Sequence, residues 1–352
     1  MKLNSILLVT VIFANSCASN AQKNAQSSKN PSIKFVSHEA DKKVDVLVDG
    51  KLFTSYWWPD TVYKPILYPV HTAAGTPVTR GFPIKPREGE RRDHIHQVGN
   101  WLNYGNVNGY DFWGNGSEGK RNIKGGQIVH SGIKAMRGGV GEGTLITNAS
   151  WIDPAGKELL AETTEFHFIA KGSTRIIDRI TTLKATGGAV TMKDTKEGSF
   201  GIRVARELEL PSKADVTLTD ANGHPTTVKK LANEGVTGNY KSSEGINGEA
   251  IWGTRAKWMN LYGNIGNEKI SLVIADHPKN LSYPTYWHAR GYGLFAANPF
   301  GVKDFTEGKK ELNHIIPAGE TLKLRYRIIL SSGTHLSDPE INALTDEFAL
   351  KY

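Results

Sequence analysis

Two histidines one residue apart, in Asp93-His94-Ile95-His96, open a stretch that runs to Trp113 and is dense in groups able to move protons or hold a sugar. If the segment is extended, alternation of side chains sends His94 and His96 to the same face and into one pocket. Downstream, Trp101, Asn103, Tyr104 and Trp113 are interleaved with glycines. That pattern supplies stacking surfaces and hydrogen-bonding tips on a backbone that can turn tightly, as recognition of a sugar requires.

Two further polar stretches carry complementary groups. Asp194 to Arg203 contains Glu197 and Arg203, and Tyr283 to Gly293 contains Tyr286, His288 and Arg290. Together they match the needs of elimination on a uronic acid. The carboxylate must be neutralised before the neighbouring proton can leave, a base must take that proton at C5, and an acid must protonate the departing oxygen. His94 or His96 is the candidate base or carboxylate neutraliser, Arg203 or Arg290 the carboxylate clamp, and Tyr104 or His288 the acid. Substrate binding is expected from Trp101, Asn103, Trp113, Glu197, Arg255, Trp258, Tyr286 and Asn298. Loss of a sugar would make the enzyme a lyase and loss of water a dehydratase; either leaves a 4,5-unsaturated uronate. The alternatives are glycoside hydrolysis by paired carboxylates, with Glu162, Glu197 and Asp111 available, and a non-catalytic sugar-binding lipoprotein that keeps the aromatic platform. A His-x-His pair also suits a metal, but cupin-type sites want a glutamate shortly after it and this chain has Gln97, Val98, Gly99 and Asn100. No metal ligand is therefore assigned. Elimination requires no cofactor, and Zn²⁺ or Ca²⁺ with His167, His277 or His288 as distant ligands is the competing reading.

The chain has 352 residues and a formal charge of +8, which favours an acidic partner. Its basic residues are dispersed, so an acidic oligosaccharide or polysaccharide fits better than nucleic acid. Met1-Lys2 and an apolar run from Ile6 to Ala14 read as a signal peptide over residues 1–21, too short to cross a bilayer. Cys17, the single cysteine, stands where a lipoprotein would be acylated and anchored to a membrane; ordinary cleavage near Ala21 is the other reading. Both place the protein outside the cytoplasm, in the periplasm or on the outer membrane. Residues 22–31 form a polar tether, and 32–352 a single β-sandwich catalytic domain.

Strand signals dominate that domain. Lys43–Val48 and Leu52–Trp58 flank Asp49-Gly50, a hairpin signal. Tyr63–Val70 and Thr72–Phe82 carry prolines and are expected at an edge or in extended loops. Gln127–Met136, Gly143–Ile152, Glu158–Ala170 and Arg175–Lys184 read as long antiparallel strands, Leu208–Val236 as an insertion, and Arg255–Tyr262 with Lys269–His277 as a second hairpin. Glu311–Ile316 and Leu322–Leu330 are expected to close the sheet. One helix follows, with a Ser337/Glu340 capping box, Pro339 in its first turn and an Ile341, Leu344, Phe348 stripe. The class is all-β: a large antiparallel sandwich with a short C-terminal helix.

Lys64-Pro65-Ile66-Leu67-Tyr68-Pro69, the Asp93–His96 motif running to Asn108–Trp113, Asp194–Gly198 with Gly201–Arg203, and Tyr292–Phe300 together resemble a bacterial family labelled PmoA-like. The label refers to a methane oxygenase, an activity that needs several membrane-spanning helices absent from this pattern. Members of that family are typically exported and often accompany polysaccharide-degrading enzymes, so the resemblance implies a carbohydrate role. Many of them read Asp-His-Pro-His-His at the histidine motif, where this chain has Ile95 and Gln97. By analogy the resemblance implies a supersandwich like that of sugar mutarotases and several polysaccharide lyases.

Overall fold

The computed structural model describes residues 30–114, 125–228 and 233–352. The expected signal peptide, Cys17, most of the tether, and the loop after Gly114 lie outside the described residues.

Two antiparallel sheets pack face to face. In spatial order the first comprises Tyr286–Ala289, Leu294–Asn298, Gly198–Arg203, Asn100–Tyr104, Ile66–Val70, Lys51–Trp57, Lys43–Val48, Ser32–His38 and Gly139–Val140. The second comprises Asn239–Ser242, Trp258–Ile265, Glu268–Asp276, Thr321–Ser332, Thr174–Ala185, Glu158–Lys171, Glu142–Ile152 and Gln127–Arg137. Period-two patterning sets their inner faces. Along Glu142–Ile152 every second residue, from Gly143 through Leu145 to Trp151, is buried, and in Glu158–Lys171 it is Glu162, Thr164, Phe166 and Phe168 that point inward. The first hairpin turns on Asp49 and Gly50, both at positive φ, as a two-residue turn between twisted strands demands.

Several expectations are corrected. Ile66–Val70 lies inside the first sheet between Lys51–Trp57 and Asn100–Tyr104, and no strand forms over 72–82. Thr321–Ser332 sits in the middle of the second sheet rather than closing it, because it pairs with Thr174–Ala185 on one side and Glu268–Asp276 on the other. His314–Ile316 pairs instead with Val190–Met192. The region read as an insertion contains a small hairpin, Val216–Thr219 with Pro225–Val228. The C-terminal helix Asp338–Lys351 has its capping box and buries Ile341 against Trp258, Ile169, Ile176 and Val273 on the outer face of the second sheet. A four-residue helix, Val302–Phe305, was not foreseen.

Candidate functional site

The three polar stretches meet on the outer face of the first sheet. In its strands Leu102, Tyr104, Phe200, Ile202, Trp287 and Phe295 point into the core between the sheets. Alternation therefore turns Trp101, Asn103, Arg203 and His288 to the opposite face. That face is roofed by loops, with Val62, Tyr68, Val98 and Trp113 packed over Trp101. Gly201 permits this packing, since a Cβ there would stand 2.9 Å from the Trp101 ring.

The histidine motif is not a strand. Residues 93–97 form a turn closed by Gln97 N–H donating to His94 O at 3.0 Å, with His94 at φ +45°. The two imidazoles nevertheless meet, their ring centroids 5.8 Å apart and edge to face. The two rings are close through a turn and not through strand alternation, and only His94 of the two is exposed. Two guanidinium groups inside that turn explain its shape. Arg80 donates to Asp93 O (2.9 Å), His94 O (2.9 Å), Gln97 O (3.1 Å) and Asp93 Oδ1 (2.7 Å). Arg203 donates to Asp93 Oδ1 and to Gln97 Oε1, both at 2.6 Å. Burial alone would raise the Asp93 carboxyl. The contact with His94 and the Arg203 and Arg80 charges outweigh it and hold Asp93 far below the usual carboxylate range. Burial and the neighbouring Arg203 pull Arg80 down to about 9, which still leaves it a cation at neutral pH.

A continuous run of rings extends from this turn. Tyr292 stacks on His94 at 4.9 Å and 4°, His96 lies 6.1 Å from Trp113, and Trp113 stacks on His288 at 6.3 Å. The run continues through Phe305 to Trp252, over whose ring the Arg290 guanidinium stands at 4.8 Å. Among the described residues Arg290 has no carboxylate within ion-pair distance. His94 is 38% exposed, whereas His96, Trp113 and His288 are buried, at 3% or less. Trp101 Nε1, Trp113 Nε1, Asn103 Oδ1 and His288 Nδ1 are buried without a hydrogen-bond partner, an unusual concentration of unsatisfied polar atoms.

Burial lowers His288 to about 4, against the opposing pull of Glu197 and with help from Arg290 and Lys196. The imidazole is therefore neutral at pH 7. Because the unfolded chain takes up this proton first, the contribution of His288 to stability is complete above about pH 6.5 and is lost as the pH falls towards 4; a shift of that size corresponds to about 3 kcal/mol. Urea unfolding at pH 7 and pH 4.5 should show a smaller loss for His288→Gln than for the parent. His130 and His277, which burial also lowers to about 4, supply the remainder. An identical loss in both proteins would contradict the assignment.

The structure removes several residues from direct roles. The phenol of Tyr104, expected as an acid, is in the core, donating to Lys193 O at 2.8 Å and accepting from Thr195 N–H at 3.0 Å. Arg203 is fully buried and each terminal nitrogen donates into the turn, so it shapes the turn rather than meeting a ligand. Trp258 lies on the other sheet under the C-terminal helix, its Nε1–H donating to Asn342 Oδ1. Arg255 is peripheral and exposed, donating to Pro284 O and stacking on Tyr286; Tyr286 itself packs on Phe305. Asn298 braces the loop before Glu197 by donating to Thr195 O and Lys196 O, and Asn103 holds the carbonyls of Phe112 and Trp113. These are positioning contacts. Glu162 is buried between the sheets and bound by Arg179 and Trp151, while Asp111 accepts Trp113 N–H. His167 is engaged by Glu142 and Glu165, and His277 packs on Phe348. Among the described residues no three His, Cys, Asp or Glu side chains are placed to share a metal ion.

Arg80, Asp93, Gln97, Tyr292 and Lys64 were not among the sequence candidates. Lys64 donates to His96 O at 2.8 Å beneath the site. Asp93 and Tyr292 border the polar stretches and could have been found there; nothing local marks Arg80.

Residues 43–346 match the model of a family of unknown function, DUF6807. No curated protein matches the chain. Among solved structures, the galactosidase domain of an α-galactosidase–sucrose kinase aligns at TM-score 0.39 and 10% identity over 85% of this chain and 42% of that one. An α-galactosidase from Geobacillus stearothermophilus aligns at 0.35 and 10% over 86% and 40%. An aldose 1-epimerase-like protein of Escherichia coli K12 aligns at 0.33 and 11% over 86% and 99%. The chain thus spans about two fifths of the galactosidase chains it aligns with.

Proposed function

The chain belongs to DUF6807, a family of unknown function, so its chemistry must come from its own side chains, and we propose that it is a carbohydrate-active lyase or dehydratase acting on uronic-acid-containing oligosaccharides. The observation that carries this reading is the pairing of Asp93 with His94. The Asp93 Oδ2 carboxylate oxygen stands 3.2 Å from His94 Nδ1, and Asp93 is itself fixed by two arginines. Nδ1 is buried on the Asp93 side, so Nε2 is the nitrogen left to exchange a proton with a ligand.

Three neighbours complete an elimination site. Arg290, free of any described carboxylate, supplies the charge that neutralises the uronate. His94 takes the C5 proton. Tyr292, whose phenol is pushed up by burial against the Arg203 and Arg290 charges, stays protonated and can give its proton to the oxygen leaving C4. The C4–O bond breaks as the C4–C5 double bond forms, and the departing group leaves as an alcohol or as water. Trp113, 1% exposed, packs against His96 and His288 and supports the site from beneath. The net charge of +8 supports an acidic substrate.

Hydrolysis is less well supported, because Glu162 is unavailable and Asp111 is engaged in its own loop. Incubation with acidic oligosaccharides distinguishes the readings. Elimination is expected to give the ultraviolet absorbance of a conjugated enoate, and mass spectrometry then reports whether water or a sugar was lost. New reducing ends without that absorbance would instead indicate hydrolysis, and binding with neither would leave a sugar-binding protein.

A further inference from the structure

The turn that carries His94 borders a cleft. Its volume is about 410 Å³, it is lined by Arg91, Arg92, Asp93, Asp215, Val216 and Thr217, and it lies between the histidine motif and the small hairpin Val216–Thr219/Pro225–Val228. Backbone bonds fix that hairpin to the motif: Gly89 N–H donates to Thr219 O (2.8 Å), Thr219 N–H to Glu90 O (2.8 Å) and Arg92 N–H to Thr217 O (3.2 Å). The two segments that carry its lining residues are thus tied to each other by backbone hydrogen bonds. The cleft reaches Asp93, the chain neighbour of His94, and so borders the turn that carries the proposed base.

The arginines around it are not equivalent. Arg80 and Arg203 are buried and spent on Asp93. Arg91 is tied to Glu209 at 2.6 Å. Arg92 alone has no described carboxylate within ion-pair distance; one terminal nitrogen donates to Gly223 O at 2.9 Å, and the guanidinium stands 4.9 Å from the Phe82 ring. Held by a carbonyl and an aromatic ring, it keeps donors to spare in a half-exposed position, an arrangement suited to a planar anion. Asp93 brings no uncompensated charge to the cleft, because two guanidinium groups already balance it.

We propose that this cleft is a second subsite, taking the sugar next to the one that reacts at His94, and that Arg92 binds a carboxylate or sulfate on that neighbour. The inference rests on the sugar-acid reading above and narrows its substrate to oligosaccharides charged on two adjacent residues. The test is calorimetric titration of the full chain with three glucuronate-containing disaccharides, whose second sugar carries a sulfate, a carboxylate or no charge. Wild type is expected to bind at least one charged form about tenfold more tightly than the uncharged one, the value of one charge-assisted bond at a half-exposed site. Arg92→Ala should erase that preference and Arg92→Lys should keep part of it, with unchanged melting temperatures showing that both fold. The arm with the larger preference identifies the anion. Equal selectivity in wild type and Arg92→Ala, or no preference in wild type, overturns the subsite. Intact Arg92-dependent selectivity with no unsaturated product overturns elimination and leaves the subsite standing.

Discussion

Replacing His94 by asparagine is expected to lower kcat on an acidic oligosaccharide by about a hundred- to ten-thousandfold, the range a positioned general base contributes, with little change in melting temperature. Asparagine is the informative substitution. His94 sits at φ +45°, a region that asparagine tolerates and alanine adopts only at a cost of roughly 1–2 kcal/mol. An alanine variant would mix loss of the base with strain in the turn. Loss of stacking on Tyr292 is worth about 1 kcal/mol, too little to account for the expected rate effect. A variant that retained a third or more of parental kcat would remove His94 from the mechanism. If KM alone rose in that variant, His94 would be a binding residue, and Tyr292→Phe would be the next variant to test for the proton transfer.

The long strands of the second sheet were legible because their one-sided burial leaves a period-two pattern in the sequence. Glu142–Ile152 and Glu158–Lys171 fall within a residue of their expected limits. The hairpin at Asp49-Gly50 and the capped C-terminal helix were legible for the same reason: a local rule decides them. The first sheet was harder to read near the site. Gly198–Arg203, Leu294–Asn298 and Asn100–Tyr104 are buried on both faces, so hydrophobicity does not reveal which side chains face the core. Tyr104 and Asn298 were misassigned on that account. Aromatic and amide residues that brace a site look, in one dimension, like those that line it.

The convergence of the three polar stretches was legible as a composition, whereas its geometry depends on a contact spanning more than a hundred residues. Arg203, in one strand, reaches Asp93 and Gln97 in the turn, and Arg80, from a segment without secondary structure, meets the same carboxylate. Long-range charge pairing of this kind has no periodicity. It is nevertheless what sets the imidazole of His94 against a fixed anion, so the residue with the least local signal, Arg80, controls the placement of the one with the most.

That network predicts the largest stability effect of any substitution near the site. Asp93→Ala should lower unfolding free energy by about 3 kcal/mol, the lower end of the range for removing one partner from a buried charge pair, because Asp93 is itself 33% exposed while Arg80 and Arg203 are at most 1% exposed. The loss would come less from the missing attraction than from two cations left facing each other without a counterion. Removing one of those cations should therefore repair part of the damage: Asp93→Ala with Arg203→Met is expected to be more stable than Asp93→Ala alone, a coupling that urea unfolding of the four proteins of the cycle measures. The pH dependence carries the same sign. A carboxylate held below its ordinary range contributes stability that is present above about pH 4, its unfolded value, and drains away as the pH falls below it. Parental protein should thus lose stability below pH 4 more steeply than Asp93→Ala. Additive effects across the cycle, together with parallel acid limbs, would mean that the arginines are satisfied without Asp93, and the turn would then need another explanation for its shape.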